Sequence, residues 1–211
     1  MRVLDPVNRV SEIIFGLLMA LAITGSLSVA GAGRDEVRSM MFAALGCNIA
    51  WGLVDGIMYL VQTLTERRRN VNLVARLCDQ PEAQAAHRII AEALPGRLGE
   101  QAGAEALEAL HRRLRAIPVA SLDARLRGED YAGALGVIIL VVLSTFPVVI
   151  PYAFIDELKL AMRVSNLVSL LTLFAGGWML GRYSGGSPWK SGLAMSAIGA
   201  ALSAAIIALG G

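Results

Sequence analysis

The sequence predicts an all-α, polytopic membrane protein, five transmembrane helices with a helical cytosolic insert between the second and the third. Three observations predict it. Five stretches meet or approach the roughly 20 apolar residues that a helix needs to cross a bilayer core, at 12–32, 40–63, 131–155, 164–181 and 192–210. A polar section, 66–129, parts the second stretch from the third. The Lys and Arg residues then divide unequally between the two sides, fifteen against four. The chain falls into 1–63 (helices one and two), 64–129 (the cytosolic section) and 130–211 (helices three to five).

Helix one opens at Asp5-Pro6, a capping carboxylate followed by a proline at the first helical position. Glu12 then lies about 9 Å past that start, at 1.5 Å per residue. Gly31-Ala32-Gly33 ends the helix, and Gly33-Arg34-Asp35-Glu36 reads as a short outer turn. The first apolar run is too long for a cleaved leader, so we expect a retained helix. Helix two closes on Glu66-Arg67-Arg68-Arg69, a cytosolic stop.

Two amphipathic patterns follow. Residues 81–94 place Ile89, Ile90 and Leu94 on one face before Pro95-Gly96. Residues 102–117 set Leu107, Leu110, Leu114 and Ile117 at helical spacing. The section should fold as a small helical cap, too short for a large core of its own.

Helix three ends in FPVVIPYAF, residues 146–154. Pro147 and Pro151 each remove a backbone donor, a change that costs roughly 3 kcal/mol inside a soluble helix. In a membrane, neighbouring helices and polar side chains satisfy the freed carbonyls, so a kinked helix is expected. Small residues at four-residue spacing, Gly52/Gly56, Gly177/Gly181 and Ala201/Ala205, allow close backbone approach. Cys47 lies in a span and Cys78 in the polar section, which predicts two free thiols.

The side poor in positive charge carries only Arg34, Arg38, Lys159 and Arg163. This places the N-terminus and the 64–129 section in the cytosol and the C-terminus outside, in a plasma (inner) membrane. The formal net charge is +2, and topology accounts for most of the basic residues. Scattered arginines without aromatic interleaving give no nucleic-acid interface. No His pair of a metal hydrolase, phosphate loop or Ser/His arrangement is present, the only histidines being His87 and His111. An enzyme is not expected.

Ionisable residues inside spans point to function, because lipid disfavours them strongly. Asp55 lies about 12 Å from the cytosolic end of helix two. Asn48, Asp55 and Gln62 repeat every seven residues, as do Glu12, Met19 and Ser26 in helix one, so each helix carries a polar seam. Met58 stands beside the second seam. Carboxylate oxygen with thioether sulfur favours softer divalent ions such as Fe²⁺ over Mg²⁺ or Ca²⁺. Glu12 paired with Arg9, Asp55 as a hydrogen-bonded packing residue, and Met19 and Met58 as core residues are the structural alternatives. In the 64–129 section nine acids face eleven arginines. Only Glu105-x-x-Glu108 followed by His111 has metal-ligand spacing there, and Glu108 could instead pair with Arg112 one turn on.

The five-span layout with its helical insert resembles the vacuolar iron transporter (VIT-like) family. The proline pair followed by Tyr152 is similar to the family's third helix. Gly181-Arg-Tyr-Ser-Gly-Gly-Ser187 and Ser191-Gly-Leu-Ala-Met-Ser-Ala-Ile-Gly199 are similar to its last two spans. The resemblance implies a homodimer in lipid that moves Fe²⁺ or Mn²⁺ out of the cytosol against protons, along a path at the dimer interface. It implies metal as substrate, with no tightly bound cofactor. Glu12, Met19, Asn48, Asp55 and Met58 would line the path, with Pro147 and Pro151 framing an outer vestibule. Glu12, Asp55, Met58, Glu105 and Glu108 would be the metal ligands.

The sequence departs from the family in two places. Ser11-Glu-Ile-Ile-Phe-Gly16 stands where the family has asparagine-aspartate-glycine, with Glu12 in the aspartate's place. Gly52-Leu-Val-Asp-Gly-Ile-Met-Tyr59 replaces a methionine followed by a glutamate-tyrosine pair. The family's insert is rich in glutamates at helical spacing, whereas arginines offset them here. Two other readings compete. One is a transport-inactive interaction or regulatory protein whose arginine-rich section binds anionic lipid or a partner. The other is a proton-coupled carrier of another solute.

Overall fold

The computed structural model describes residues 6–26, 33–80, 82–94 and 98–209. They form α1 (Pro6–Gly25), α2 (Arg34–Cys78), α3 (Ala83–Ala93), α4 (Leu98–Gln101), α5 (Ala104–Arg115), α6 (Gly128–Phe154), α7 (Leu158–Tyr183) and α8 (Pro188–Ala208), with a 3₁₀ turn at Val119–Ser121. Asp5, the Gly31-Ala32 stop, the Pro95-Gly96 break and the side chain of Arg9 lie outside the described residues.

Among the described residues, four helices, α2, α6, α7 and α8, are long and apolar enough to cross a membrane. The protein is an integral membrane protein. The apolar part of α1 is shorter, Val10–Gly25, and at 1.5 Å per residue it covers about 24 Å of a core roughly 30 Å thick. Residues 27–32, the remainder of the expected first span, lie outside the described residues.

The structure corrects helix two at both ends. Gly33-Arg34-Asp35-Glu36 is no free turn: α2 starts at Arg34, where the Gly33 N–H donates to Glu36 Oε2 at 2.8 Å. At the other end α2 continues past Arg67, Arg68 and Arg69 to Cys78. Charged residues halt insertion into a bilayer, but they are good helix formers. No glycine or proline interrupts the sequence from Ile57 to Gln80.

The chain divides into two compact units, residues 1–59 with 128–211, and residues 60–127. In the first, α1 is the central helix, packed by α6, α7 and α8. Val10, Ile14, Leu17, Ala20 and Leu21 form its core with Val148 of α6 and Leu173 of α7. The middle of α2 packs on α6 through two glycines. A Cβ on Gly52 would stand 3.2 Å from the Ile138 carbonyl, and one on Gly56 would stand 3.1 Å from that of Ala134.

The helices α7 and α8 form a hairpin at equally short range. A Cβ on Gly177 would lie 2.5 Å from the Ser191 carbonyl. Their turn is a Schellman cap: Gly185 takes φ 75° and the Gly186 N–H donates back to the Gly181 carbonyl at 2.9 Å. This is the physical content of the Gly-Arg-Tyr-Ser-Gly-Gly-Ser segment.

α6 runs through Pro147 and Pro151 as one helix. Both flanks of the proline pair are tied down by polar side chains. Ser165 of α7 donates to the Val148 carbonyl at 2.7 Å, and Thr145 accepts from Asn48. Tyr152, next to Pro151, is buried beside Ser165 and Thr24. In the second unit, the C-terminal part of α2 packs Leu73 and Leu77 against Ala86, Ile89 and Ile90 of α3 and Leu107, Leu110 and Leu114 of α5.

Candidate functional site

The two polar seams read from the sequence face each other along α1 and α2. The carboxyl groups of Glu12 and Asp55 lie side by side, close enough to interact. One turn further along α1, the Gly16 carbonyl accepts from Asn48 Nδ2 at 3.0 Å. Another turn on, Cys47 Sγ donates to Met19 Sδ at 3.9 Å. As position rises along α1 from 12 to 19, the partner on α2 falls from 55 to 47. The helices are therefore antiparallel here, and their heptad spacings interlock. Ser26 turns away, exposed and bonded to its own helix at Ile23 O. Gln62 is exposed.

Gly16 makes the approach possible. A Cβ there would stand 2.0 Å from Ser144 Oγ and 3.0 Å from the Val141 carbonyl of α6. The missing side chain lets α1, α2 and α6 meet at Asn48, a fully buried residue whose amide also donates to Thr145 Oγ1.

Two acceptors on this seam are left over. Among the described residues, Glu12 Oε2 and Asn48 Oδ1 are both buried with no hydrogen-bond partner. Buried polar atoms are nearly always satisfied, so a pair of orphaned oxygens on one seam marks a place suited to a cation or a water. The carboxyl pair points the same way. Two carboxylates side by side repel one another when no counter-charge stands between them. A divalent cation is a species that matches both negative charges.

The structure thus brings together Glu12, Asp55, Met19 and Asn48. Met58 is 45% exposed. Cys47 was missed by sequence reasoning. The signal was its place directly before Asn48, one turn from where the Met19 seam had to pass. At the far end of α6, Tyr152 and the Arg34–Asp156 ion pair border a cleft of about 560 Å³.

In the second unit Glu105 is exposed and stands apart, while Glu108 faces His87 and His111. Glu108 also lies 3.9 Å from Arg112, the i+4 partner the sequence offered. Both cysteines are free thiols. Compared with known protein families and with curated proteins, the chain matches none.

Proposed function

We propose that this protein is a VIT-like transporter that moves a divalent transition metal, Fe²⁺ or Mn²⁺, out of the cytosol in exchange for protons. The observation that carries this reading is the α1–α2 seam: the carboxyl groups of Glu12 and Asp55 lie side by side, while Glu12 Oε2 and Asn48 Oδ1 are buried without partners among the described residues. Cation and proton then compete for the same two carboxyl groups. Coupling then needs no further group.

Met19 and Cys47, two turns along, add soft sulfur that discriminates against Mg²⁺ and Ca²⁺. The charge asymmetry of the loops orients the chain with its N-terminus in the cytosol of a plasma-membrane protein and its C-terminus outside. The carboxyl pair then lies in the cytosolic half. The part of α2 that supplies Asn48 and Asp55 also carries exposed apolar side chains (Ile49, Leu53 and Ile57 among others), and a second copy of the chain would cover them as a homodimer.

The test is uptake of Fe²⁺, Mn²⁺ and Mg²⁺ into proteoliposomes with a pH dye in the lumen. We expect Fe²⁺ and Mn²⁺ to move with opposite proton flux, and Mg²⁺ to stay out. A folded wild-type protein that moves no metal would overturn the reading in favour of the interaction or regulatory protein.

A further inference from the structure

We propose that His87 of α3 and Glu108 and His111 of α5 form a binding site for a divalent first-row transition ion that ties these two helices together. The site lies in the second unit and shares no residue with the α1–α2 seam. It stands whether or not the seam conducts metal.

The geometry is that of a nearly assembled ligand set. One donor atom from each side chain lies within 4.8 Å of both others. His87 Nε2 is 2.9 Å from Glu108 Oε2, and His111 Nδ1 is 4.0 Å from the same oxygen. Donors bound to one tetrahedral ion at about 2.0–2.2 Å stand about 3.4 Å apart. Small side-chain rotations would therefore close the set. The two imidazole rings are edge to face, 89° between planes and 6.1 Å between centroids, so both can turn a nitrogen toward a common point.

A His87–Glu108 hydrogen bond alone would account for two of the three residues. It leaves His111 unexplained. That side chain is 9% exposed, its Nε2 is buried without a hydrogen-bond partner among the described residues, and its Nδ1 is beyond hydrogen-bond reach of Glu108. Nothing in an apolar core of Leu77, Ala86 and Ile90 requires a second imidazole there. A cation between the three groups gives that ring a partner.

The donor chemistry selects the ion. Two imidazoles and one carboxylate suit Zn²⁺, Co²⁺ or Fe²⁺, while Mg²⁺ and Ca²⁺ prefer all-oxygen shells. Three protein ligands leave a position open to water, as in exchangeable sites rather than closed structural ones. The core that α2, α3 and α5 share is small. An ion bridging α3 and α5 would therefore also act on their stability, because binding free energy adds to folding free energy.

The experiment uses the full chain in detergent, stripped of metal and titrated with Co²⁺, then Zn²⁺, with Mg²⁺ as the control. We expect one equivalent of Co²⁺ to give a visible absorption band that Zn²⁺ displaces and Mg²⁺ does not. The affinity should fall at least 100-fold in His87→Ala/His111→Ala and about tenfold in Glu108→Gln. The band should persist in Glu12→Gln/Asp55→Asn, which separates this site from the seam. An unchanged band in the double-histidine variant, or one abolished by the seam variant, would overturn the proposal. Hydrogen exchange provides a readout on the unmutated protein. Zn²⁺ should slow the amides of residues 83–93 and 104–115, and the absence of such protection refutes the site even if the variants misfold.

Discussion

At the scale of single residues, Asp55 carries the heaviest expectation. Asparagine preserves its size and hydrogen bonding but removes the charge that balances a divalent ion in a low-dielectric setting. Asp55→Asn should abolish metal uptake in proteoliposomes while the protein keeps its elution profile and helicity. Wild-type rates in that variant would reduce Asp55 to a packing residue. Selectivity belongs to the sulfur atoms, and the structure decides which ones. Met19 faces Cys47 on the seam, whereas Met58 is exposed. Met19→Leu should therefore weaken Fe²⁺ uptake more than Mn²⁺ uptake, and Met58→Leu should leave their ratio unchanged in a competition assay.

The seam residues Glu12, Met19, Asn48 and Asp55 were legible in the sequence because a polar residue every seventh position of an apolar helix must share one face. Cys47 was not legible, since its partner depends on how two helices register. His87 was not legible for the same reason: it joins Glu108 only once α3 lies against α5.

At the scale of elements, backbone proximity sets what can change. Gly16 and Gly46 are both helical glycines, yet a Cβ on Gly16 would collide with Ser144 Oγ while one on Gly46 would meet nothing within 4 Å. Gly16→Ala should destabilise the protein by about 1–3 kcal/mol through overpacking. Gly46→Ala should be neutral or slightly stabilising, as expected from helix propensity. Thermal unfolding in detergent would distinguish them, and equal melting temperatures would refute the close contact of α1 with α6.

Hydrophobic runs revealed the long helices α2, α6, α7 and α8, but their ends were harder to read. The sequence placed the end of helix two at its arginines, where a membrane would end. The backbone had no reason to stop there and runs on to Cys78. The two prolines of α6 were expected to mark a distorted helix. Their context, with Tyr152 buried between Thr24 and Ser165, appeared only from the packing of three helices.

At the scale of the whole molecule, the unequal distribution of Lys and Arg makes a definite prediction. An Asp35→Cys variant in a chain freed of Cys47 and Cys78 should react with a membrane-impermeant maleimide from outside the cell. Labelling only from the cytosol would invert the topology. Assembly makes a second prediction. Subunit counting in lipid at low protein density should give two copies, and a monomer would leave the exposed apolar face of α2 to lipid alone. The membrane class was plain from composition and run length. The number of crossings was less so, because α1 is both the shortest apolar helix and the most enclosed one.

The α7–α8 hairpin bears on how the protein is made. Gly177 and Gly181 form a backbone-lined groove on α7 that Ser191 and Pro188 of α8 fill. Since α8 is synthesised after α7, that groove is bare while the ribosome is still threading the later residues through the translocon. The tight Schellman turn lets α8 fold back on its predecessor as soon as it emerges. A nascent chain arrested between the two helices would present naked glycine backbone to lipid, a feature that membrane quality-control proteases could use to distinguish an unfinished molecule from a finished one.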